Sequence, residues 1–146
     1  MDYTVAPGLY ALGEPDGRAP VLVSANYKLS FDTLRASLPG RSAWILVLET
    51  YGINVWCAAG KGTFGTGELV KRILGRGMDV FLQHHQVIVP QLGAVGVAAH
   101  EVKARTGYSV LWGPVRAEDL PAYLDAGKRA TDEMRQVSFT ARERLE

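Results

Sequence analysis

One side chain in this sequence stands out for its chemistry: the thiol of Cys57, the only cysteine in the chain. A lone cysteine often serves as a small core hydrophobe, whereas a thiolate is a strong metal ligand. The small residues Ala58, Ala59 and Gly60 follow Cys57 and leave a bare backbone surface against which something large and flat can lie. Lys61 adds a positive charge that favours the thiolate. These neighbours make Cys57 a candidate metal-ligating residue.

The segment after Cys57 is rich in glycine, at positions 60, 62, 65 and 67. Glycine lets a backbone bend sharply and approach a ligand closely. Residues 60–65 match the G-x-G-x-x-G pattern of dinucleotide sites, but no acidic residue about 20 positions further on ends a well-placed strand. The spacing of a Walker motif is absent as well. Nucleotide binding is therefore an alternative that the sequence does not favour.

The composition is that of a folded globular domain. The chain has 146 residues, 47% of them hydrophobic, which suits one domain of ~100–150 residues. Sixteen basic residues against fifteen acidic ones give a net charge of +1, which offers no electrostatic footprint for nucleic acid. With no pair of cysteines to hold a cluster, any iron–sulfur chemistry must come from a partner. No apolar run reaches the ~20 residues of a membrane span and no signal peptide is visible, so we expect a cytoplasmic domain.

Short apolar runs alternate with helical patterns along the chain, as in α/β folds. Strands are predicted at 21–23, 44–48, 80–82, 87–89 and 108–112. Helices are predicted at 30–38, 67–74, 95–105, 117–126 and 128–137. Residues 1–20 are expected to form a loose N-terminal segment before a single domain at 21–140. The pattern predicts a Rossmann-like, doubly wound, mostly parallel sheet.

Four loops each follow a predicted strand, at 24–30, 50–66, 90–96 and 113–117. In a doubly wound sheet, ligands bind beyond the carboxyl ends of the strands. We therefore expect these loops to meet at one rim, with Cys57 in the second of them. The histidines are expected elsewhere: His84 and His85 in a turn, and His100 in a packing position on a helix.

The segment from Asn54 to Lys61 resembles the cap-helix signature of the corrinoid protein of microbial mercury methylation. The soluble domain of that protein is similar to the corrinoid-binding domain of the large subunit of the corrinoid iron–sulfur protein of acetyl-CoA synthesis. Segments 24–32, 89–94 and 113–117 also resemble family segments, in family order. The resemblance spans residues 21–139 or so.

The resemblance implies a cobalamin or related corrinoid with Cys57 as an axial ligand of cobalt and as the catalytic residue. The other implied contacts come from all four loops: Asn26; Asn54, Val55, Trp56, Ala58, Ala59, Gly60, Lys61, Thr63, Gly65 and Thr66; Gln91, Leu92, Gly93 and Ala94; Gly113, Pro114, Val115 and Arg116.

The activity implied by this resemblance is that of a corrinoid-dependent methyltransferase, which passes a methyl group from cobalt to Hg(II). A soft thiolate ligand donates electrons strongly, which would make that transfer more accessible. The implied partners are a methyltetrahydrofolate-linked methyltransferase and a ferredoxin-like iron–sulfur reductant. A membrane region is implied only for full-length relatives. The alternatives are a corrinoid methyl carrier of one-carbon or acetyl-CoA metabolism without a mercury role, and a corrinoid-binding or electron-transfer module that transfers no methyl group.

Overall fold

The computed structural model describes residues 4–129 and 131–135, which form an α/β domain around one five-stranded sheet. The strands are β1 (Gly8–Leu12), β2 (Val21–Ala25), β3 (Ala43–Leu48), β4 (Gln86–Val89) and β5 (Ser109–Trp112). The helices are α1 (Lys28–Ala36), α2 (Val55–Lys61), α3 (Thr66–Gly75), α4 (Ala99–Thr106), α5 (Leu120–Asp125) and α6 (Asp132–Arg135). Short 3-10 turns lie at Met78–Val80, Gln91–Gly93 and Ala117–Asp119. No helix within the described ranges combines the length and apolarity needed to cross a membrane.

The strand order β1-β3-β2-β4-β5 makes the sheet doubly wound. Strands β3, β2, β4 and β5 are parallel, and β1 pairs antiparallel with β3 at the edge. The chain runs outward from β2 to β3, then crosses back to β4 and runs outward again to β5. The order therefore reverses between β2 and β4, and this is the switch point at which such sheets bind ligands. The predicted mostly parallel, Rossmann-like fold is confirmed.

Helices cover both faces of the sheet because the parallel strands are apolar on both sides. On one face, α2, α3 and α4 bury residues such as Ala58, Leu69 and Val102 against β2, β3 and β4. On the other face, α1 and α5 bury Phe31 and Tyr123. The second face carries the gap between α1 and the segment after β5, where the candidate site lies.

Three expectations from the sequence differ from the structure. Residues 80–82 form no strand, because Gly77 has φ +60° and starts a 3-10 turn that buries Met78 and leaves Val80 90% exposed. The helix expected at 95–105 begins only at Ala99, since Ala98 N–H donates to Thr66 Oγ1 at 2.8 Å and holds residue 98 extended.

The third difference concerns residues 1–20, which the composition indicated as loose. Their described part contains β1, whose residues Gly8–Leu12 pair with Val47–Ala43 of β3. The last predicted helix, at 128–137, is represented by α6, and residues 136 and 137 lie outside the described part of the chain.

Candidate functional site

The helix that carries Cys57 begins at the rim and is capped by a side chain. Asn54 is its N-cap, and Asn54 Oδ1 accepts a hydrogen bond of 2.9 Å from the N–H of Cys57. Asparagine suits this position because its short side chain satisfies a free N–H of the first turn. Gly62, with φ +84°, ends the helix in the left-handed conformation that glycine tolerates best. Cys57 is thus held in the first turn of α2, and its side chain is exposed.

The two faces of α2 have opposite surroundings. Ala58 and Ala59 are 0% and 4% exposed and belong to the core, so they do not form the bare surface expected from their size. Cys57, Gly60 and Lys61 are exposed and lie three and four residues apart, which places them on one helical face. Gly60 has no neighbouring heavy atom within 4 Å of the place where a Cβ would stand. The open backbone surface is therefore the part of α2 next to Gly60.

The segment after α2 packs against the loop that follows β4. Phe64 is fully buried, and a Cβ on Gly93 would lie 2.5 Å from its ring, while a Cβ on Gly65 would lie 3.0 Å from the Gly62 carbonyl oxygen. Thr66 N–H donates to the Gly96 carbonyl oxygen at 3.1 Å. Thr63 Oγ1 lies 3.3 Å from the Ala58 carbonyl oxygen. Gly65, Thr66 and Gly93 therefore hold α2, called the cap helix below, in place through close packing and hydrogen bonds.

An open cleft of about 390 Å³ lies beside α2, over the switch point of the sheet. Its floor comes from β2 and β4, and its walls from α1, the start of α2 and the segment after β5. Six of the predicted contact residues line it: Asn54, Val55, Leu92, Gly113, Pro114 and Val115. The lining is mostly apolar, as in small-molecule sites.

The cleft has further lining residues that sequence reasoning did not select. These are Leu22, Val23, Ser24, Tyr27, Leu29, Ser30, Thr33, Leu34, Ile88, Pro90, Ala117 and Leu120. Residues 24, 27, 29 and 30 fall within the loop predicted at 24–30, and the structure places them at the end of β2, before α1 and at its start. The predicted convergence of the loops was the signal that pointed to them.

Among the side chains that the structure describes, the other predicted contacts do not line the cleft. Arg116 Nη1 lies 3.4 Å from a carboxylate oxygen of Glu118, and Asn26 is buried, with 2% of its surface exposed. Trp56 lies in α2, but its side chain lies outside what the structure describes. Gln91 and Ala94 are partly exposed in the loop after β4.

Two groups with a shifted pKa, Tyr108 and Asp125, lie near the amino ends of the strands, opposite the rim. Burial and a hydrogen bond of 2.7 Å to Asp79 raise the pKa of Tyr108, which precedes β5. The bidentate hydrogen bonds from Arg41, which precedes β3, lower the pKa of Asp125. Within residues 4–129 and 131–135, no group of three or more His, Cys, Asp or Glu side chains could hold a metal ion.

The sequence of the chain matches a known protein family over most of its length. The profile of the family described as CO dehydrogenase/acetyl-CoA synthase delta subunit matches residues 2–124. The chain belongs to this family. The match covers the sheet, the cap helix and every loop of the rim.

Curated relatives of this family member share its sequence over most of its length. The gamma subunit of the acetyl-CoA decarbonylase/synthase complex of Methanopyrus kandleri is 32% identical over 124 residues, 83% of this chain and 26% of the relative. The corresponding subunit of Methanothermobacter thermautotrophicus is 31% identical over 123 residues, again 83% of this chain and 26% of the relative. Subunit gamma 2 of Methanosarcina thermophila is 31% identical over 121 residues, 80% of this chain and 25% of the relative. The chain thus spans about a quarter of the length of these relatives.

Proposed function

We propose that this chain is a corrinoid-binding domain that carries a methyl group in one-carbon or acetyl-CoA metabolism. The observation that carries the proposal is the exposed thiol of Cys57 on a helix whose first residues, Asn54 and Val55, line an apolar cleft at the switch point. Membership of the delta-subunit family and the names of the relatives, which are subunits of an acetyl-CoA decarbonylase/synthase complex, support this metabolic setting. The sequence indicated this activity as the alternative to mercury methylation, and the family and the relatives favour it.

The residues at the rim fit a corrinoid in two respects. A thiolate is a soft ligand that binds cobalt through sulfur, and Cys57 is exposed, with Gly60 and Lys61 on the same face of α2. The cleft volume of about 390 Å³ is too small for a whole corrinoid but suits one flat aromatic group, such as the nucleotide base of the cofactor. The cleft residues would hold that base, and Cys57, exposed on α2, would be the residue that ligates the cobalt.

The protein's own groups would then supply ligation, orientation and exclusion of water. The cofactor supplies the methyl-transfer chemistry. Asn54 fixes the first turn of α2, and Cys57 would ligate the cobalt through its thiolate. Pro114, Val115 and Leu92 would contact the apolar part of the ligand, because they line the same cleft.

A second candidate function is methyl transfer to Hg(II), and the exposed cysteine on the cap helix favours it. A thiolate ligand such as Cys57 would donate electron density to the methylated cofactor, which would suit transfer to an electrophilic, thiophilic acceptor. This reaction would make the chain a corrinoid-dependent methyltransferase.

Both candidate functions need partner proteins. Within its described residues the chain has no cluster of metal-binding side chains, so a ferredoxin-like iron–sulfur protein would reduce the cobalt. A methyltetrahydrofolate-linked methyltransferase would supply the methyl group.

Anaerobic reconstitution with hydroxocobalamin tests the proposal. After gel filtration, we expect about one cobalamin per chain and a Co(III) absorption spectrum different from that of free hydroxocobalamin. Protein that elutes without cobalamin would refute corrinoid binding. The two functions separate in a second step, in which the reduced, methylated protein is mixed with Hg(II) and methylmercury is measured. Methylmercury formation no faster than with free methylcobalamin would leave the one-carbon role and reject the mercury role.

A further inference from the structure

Asn26 is one of three buried polar residues in the described part of the chain, together with Ser24 and Thr50. It directly follows β2 and is 2% exposed. A buried amide must find hydrogen-bond partners, because an unpaired polar group in the interior is destabilising. The partners of the Asn26 side chain all belong to the loop between β3 and α2, which leads to Cys57.

The amide oxygen of Asn26 is an acceptor shared by several groups. The N–H groups of Thr50 and Gly52 both donate to Asn26 Oδ1 at 3.0 Å, and Thr50 Oγ1 lies 2.8 Å from the same oxygen. The amide nitrogen of Asn26 donates to the carboxylate of Glu49. That carboxylate also accepts a hydrogen bond of 2.9 Å from the N–H of Tyr51. One side chain thus binds both ends of a tight turn.

The turn itself has a demanding backbone conformation. Tyr51 and Gly52 have φ of +56° and +74°, and the N–H of Ile53 donates to the Thr50 carbonyl oxygen at 3.1 Å. A positive φ is uncommon for a residue with a side chain, and Tyr51 is itself 74% exposed. The contacts of Asn26 and Glu49 with the loop backbone therefore maintain this turn.

The turn leads directly into the cap helix. Thr50 Oγ1 lies 2.8 Å from the Ile53 carbonyl oxygen, and the next residue, Asn54, caps α2 at the N–H of Cys57. The backbone carbonyl of Asn26 also accepts the N–H of Val5 at 3.0 Å, which fixes Asn26 from its other side. A short chain of contacts therefore joins the carboxyl end of β2 to the thiol.

We propose that Asn26 is a positioning residue that holds Cys57 in a fixed place relative to the switch point of the sheet. It acts through the loop at residues 49–53 and touches no ligand, in contrast to the corrinoid contact expected from its position in the sequence. The effect of Asn26 on cobalt ligation rests on the proposed function. Its effect on the mobility of residue 57 is independent of any cofactor.

A spin label on Cys57 measures that mobility directly, because the chain has a single cysteine. In the cofactor-free protein, Asn26→Ala should at least double the mobile fraction of the nitroxide spectrum. Thr106→Ala is the matched control, since Thr106 Oγ1 also bonds two backbone groups, Val102 O and Tyr108 N, but at the other edge of the sheet. It should leave the spectrum unchanged.

A double variant tests whether the hydrogen bonds themselves are responsible. Asn26→Asp combined with Glu49→Gln exchanges the amide and the carboxylate between the two side chains. The exchange keeps their mutual hydrogen bond and the acceptor for the Thr50 and Gly52 amides, but it loses the bond from Tyr51 N–H, which shares an acceptor atom with Asn26. The double variant should therefore restore part of the low mobility. An Asn26→Ala spectrum like that of the unaltered protein would overturn the proposal. An equal loosening in Thr106→Ala, or a double variant as mobile as Asn26→Ala, would overturn it as well.

Amide hydrogen exchange on the unaltered protein provides a second test, which does not depend on whether Asn26→Ala folds. We expect the Thr50 and Gly52 amides to exchange at least 100-fold more slowly than in an unstructured peptide, and exchange at the unstructured rate would overturn the proposal. In the cobalamin-loaded protein, Asn26→Ala should keep most of the binding but lose the spectral change caused by the thiolate. If the unaltered protein binds no cobalamin, the proposed function fails, and the spin-label result still decides the role of Asn26.

Discussion

At the residue scale, Cys57 combines exposure with a fixed backbone. Its N–H is held by Asn54 at 2.9 Å, while its side chain faces solvent on the outer face of α2. A core cysteine would be buried among apolar residues, so the exposure argues against that interpretation. The thiol is available to a ligand that approaches the rim.

We predict that Cys57→Ala leaves the fold intact and changes the spectrum of the bound cofactor. Because the thiol is exposed, the free energy of unfolding should change by less than about 0.5 kcal/mol, as measured by urea denaturation. After loading with hydroxocobalamin, the Co(III) absorption bands should shift, since the sulfur ligand is lost. Cys57→Ser is the matched control, because a hydroxyl keeps the size but is a hard, poor ligand for cobalt. Identical spectra in all three proteins would show that the thiol does not bind the metal.

The sequence predicted the location of Cys57 but not the role of Asn26. A cysteine shortly after an apolar strand must lie near the carboxyl end of a parallel sheet, and this follows from chain order alone. The bonds of Asn26 depend on β2 and β3 being neighbours in register, with Ala25 opposite Leu48. Such pairing is a property of the folded sheet, and the strand neighbours and their register cannot be derived from one sequence.

At the element scale, the cap helix is anchored to the loop after β4 by close backbone packing. A Cβ on Gly96 would lie 2.1 Å from the Phe64 carbonyl oxygen and 3.4 Å from Cα of Ala59. That loop also supplies the carbonyl oxygen that accepts the N–H of Thr66. The absence of a side chain at residue 96 thus allows the two segments to approach.

Substituting two glycines of this region should have opposite effects. Gly96→Ala should destabilise the protein by about 2–3 kcal/mol, because the new methyl group collides with backbone that has little room to move. Gly60→Ala should stabilise the cofactor-free protein by roughly 0.5–1 kcal/mol, since alanine favours helix and nothing lies within 4 Å of its Cβ. Urea denaturation measures both changes. Equal effects of the two substitutions would contradict the packing described for Gly96.

The elements themselves were predictable where local pattern and tertiary packing agree. Strands β2 and β3 are continuous apolar runs bounded by turn residues, and they form as predicted. The run at 80–82 has similar residues but forms a 3-10 turn, because Leu82 N–H bonds to the Met78 carbonyl oxygen at 2.8 Å and only Leu82 of the three is buried. Apolar content alone does not separate a strand from an exposed turn.

At the scale of the whole molecule, the doubly wound order places the cleft. The crossing from β3 to β4 over β2 leaves a gap at the carboxyl end between α1 and the segment after β5. The sequence predicted that the loops converge there, since each follows a strand. It did not predict that α1 residues such as Ser30 and Thr33 form a wall, because that depends on how α1 packs against the sheet.

The last prediction tests whether this cleft holds the nucleotide base of the cofactor. The base is the part that cobinamide lacks, so the unaltered protein should bind cobalamin about tenfold or more tightly than cobinamide, as expected for burial of an aromatic group. Ser30→Phe places a large side chain into the cleft, since Ser30 lines it, and should bring the two affinities to within about twofold. Ala36→Phe is the control, because residue 36 lies exposed at the other end of α1, and it should keep the full preference. Titration followed by absorption spectroscopy measures these affinities, and a preference that survives Ser30→Phe would place the base outside the cleft.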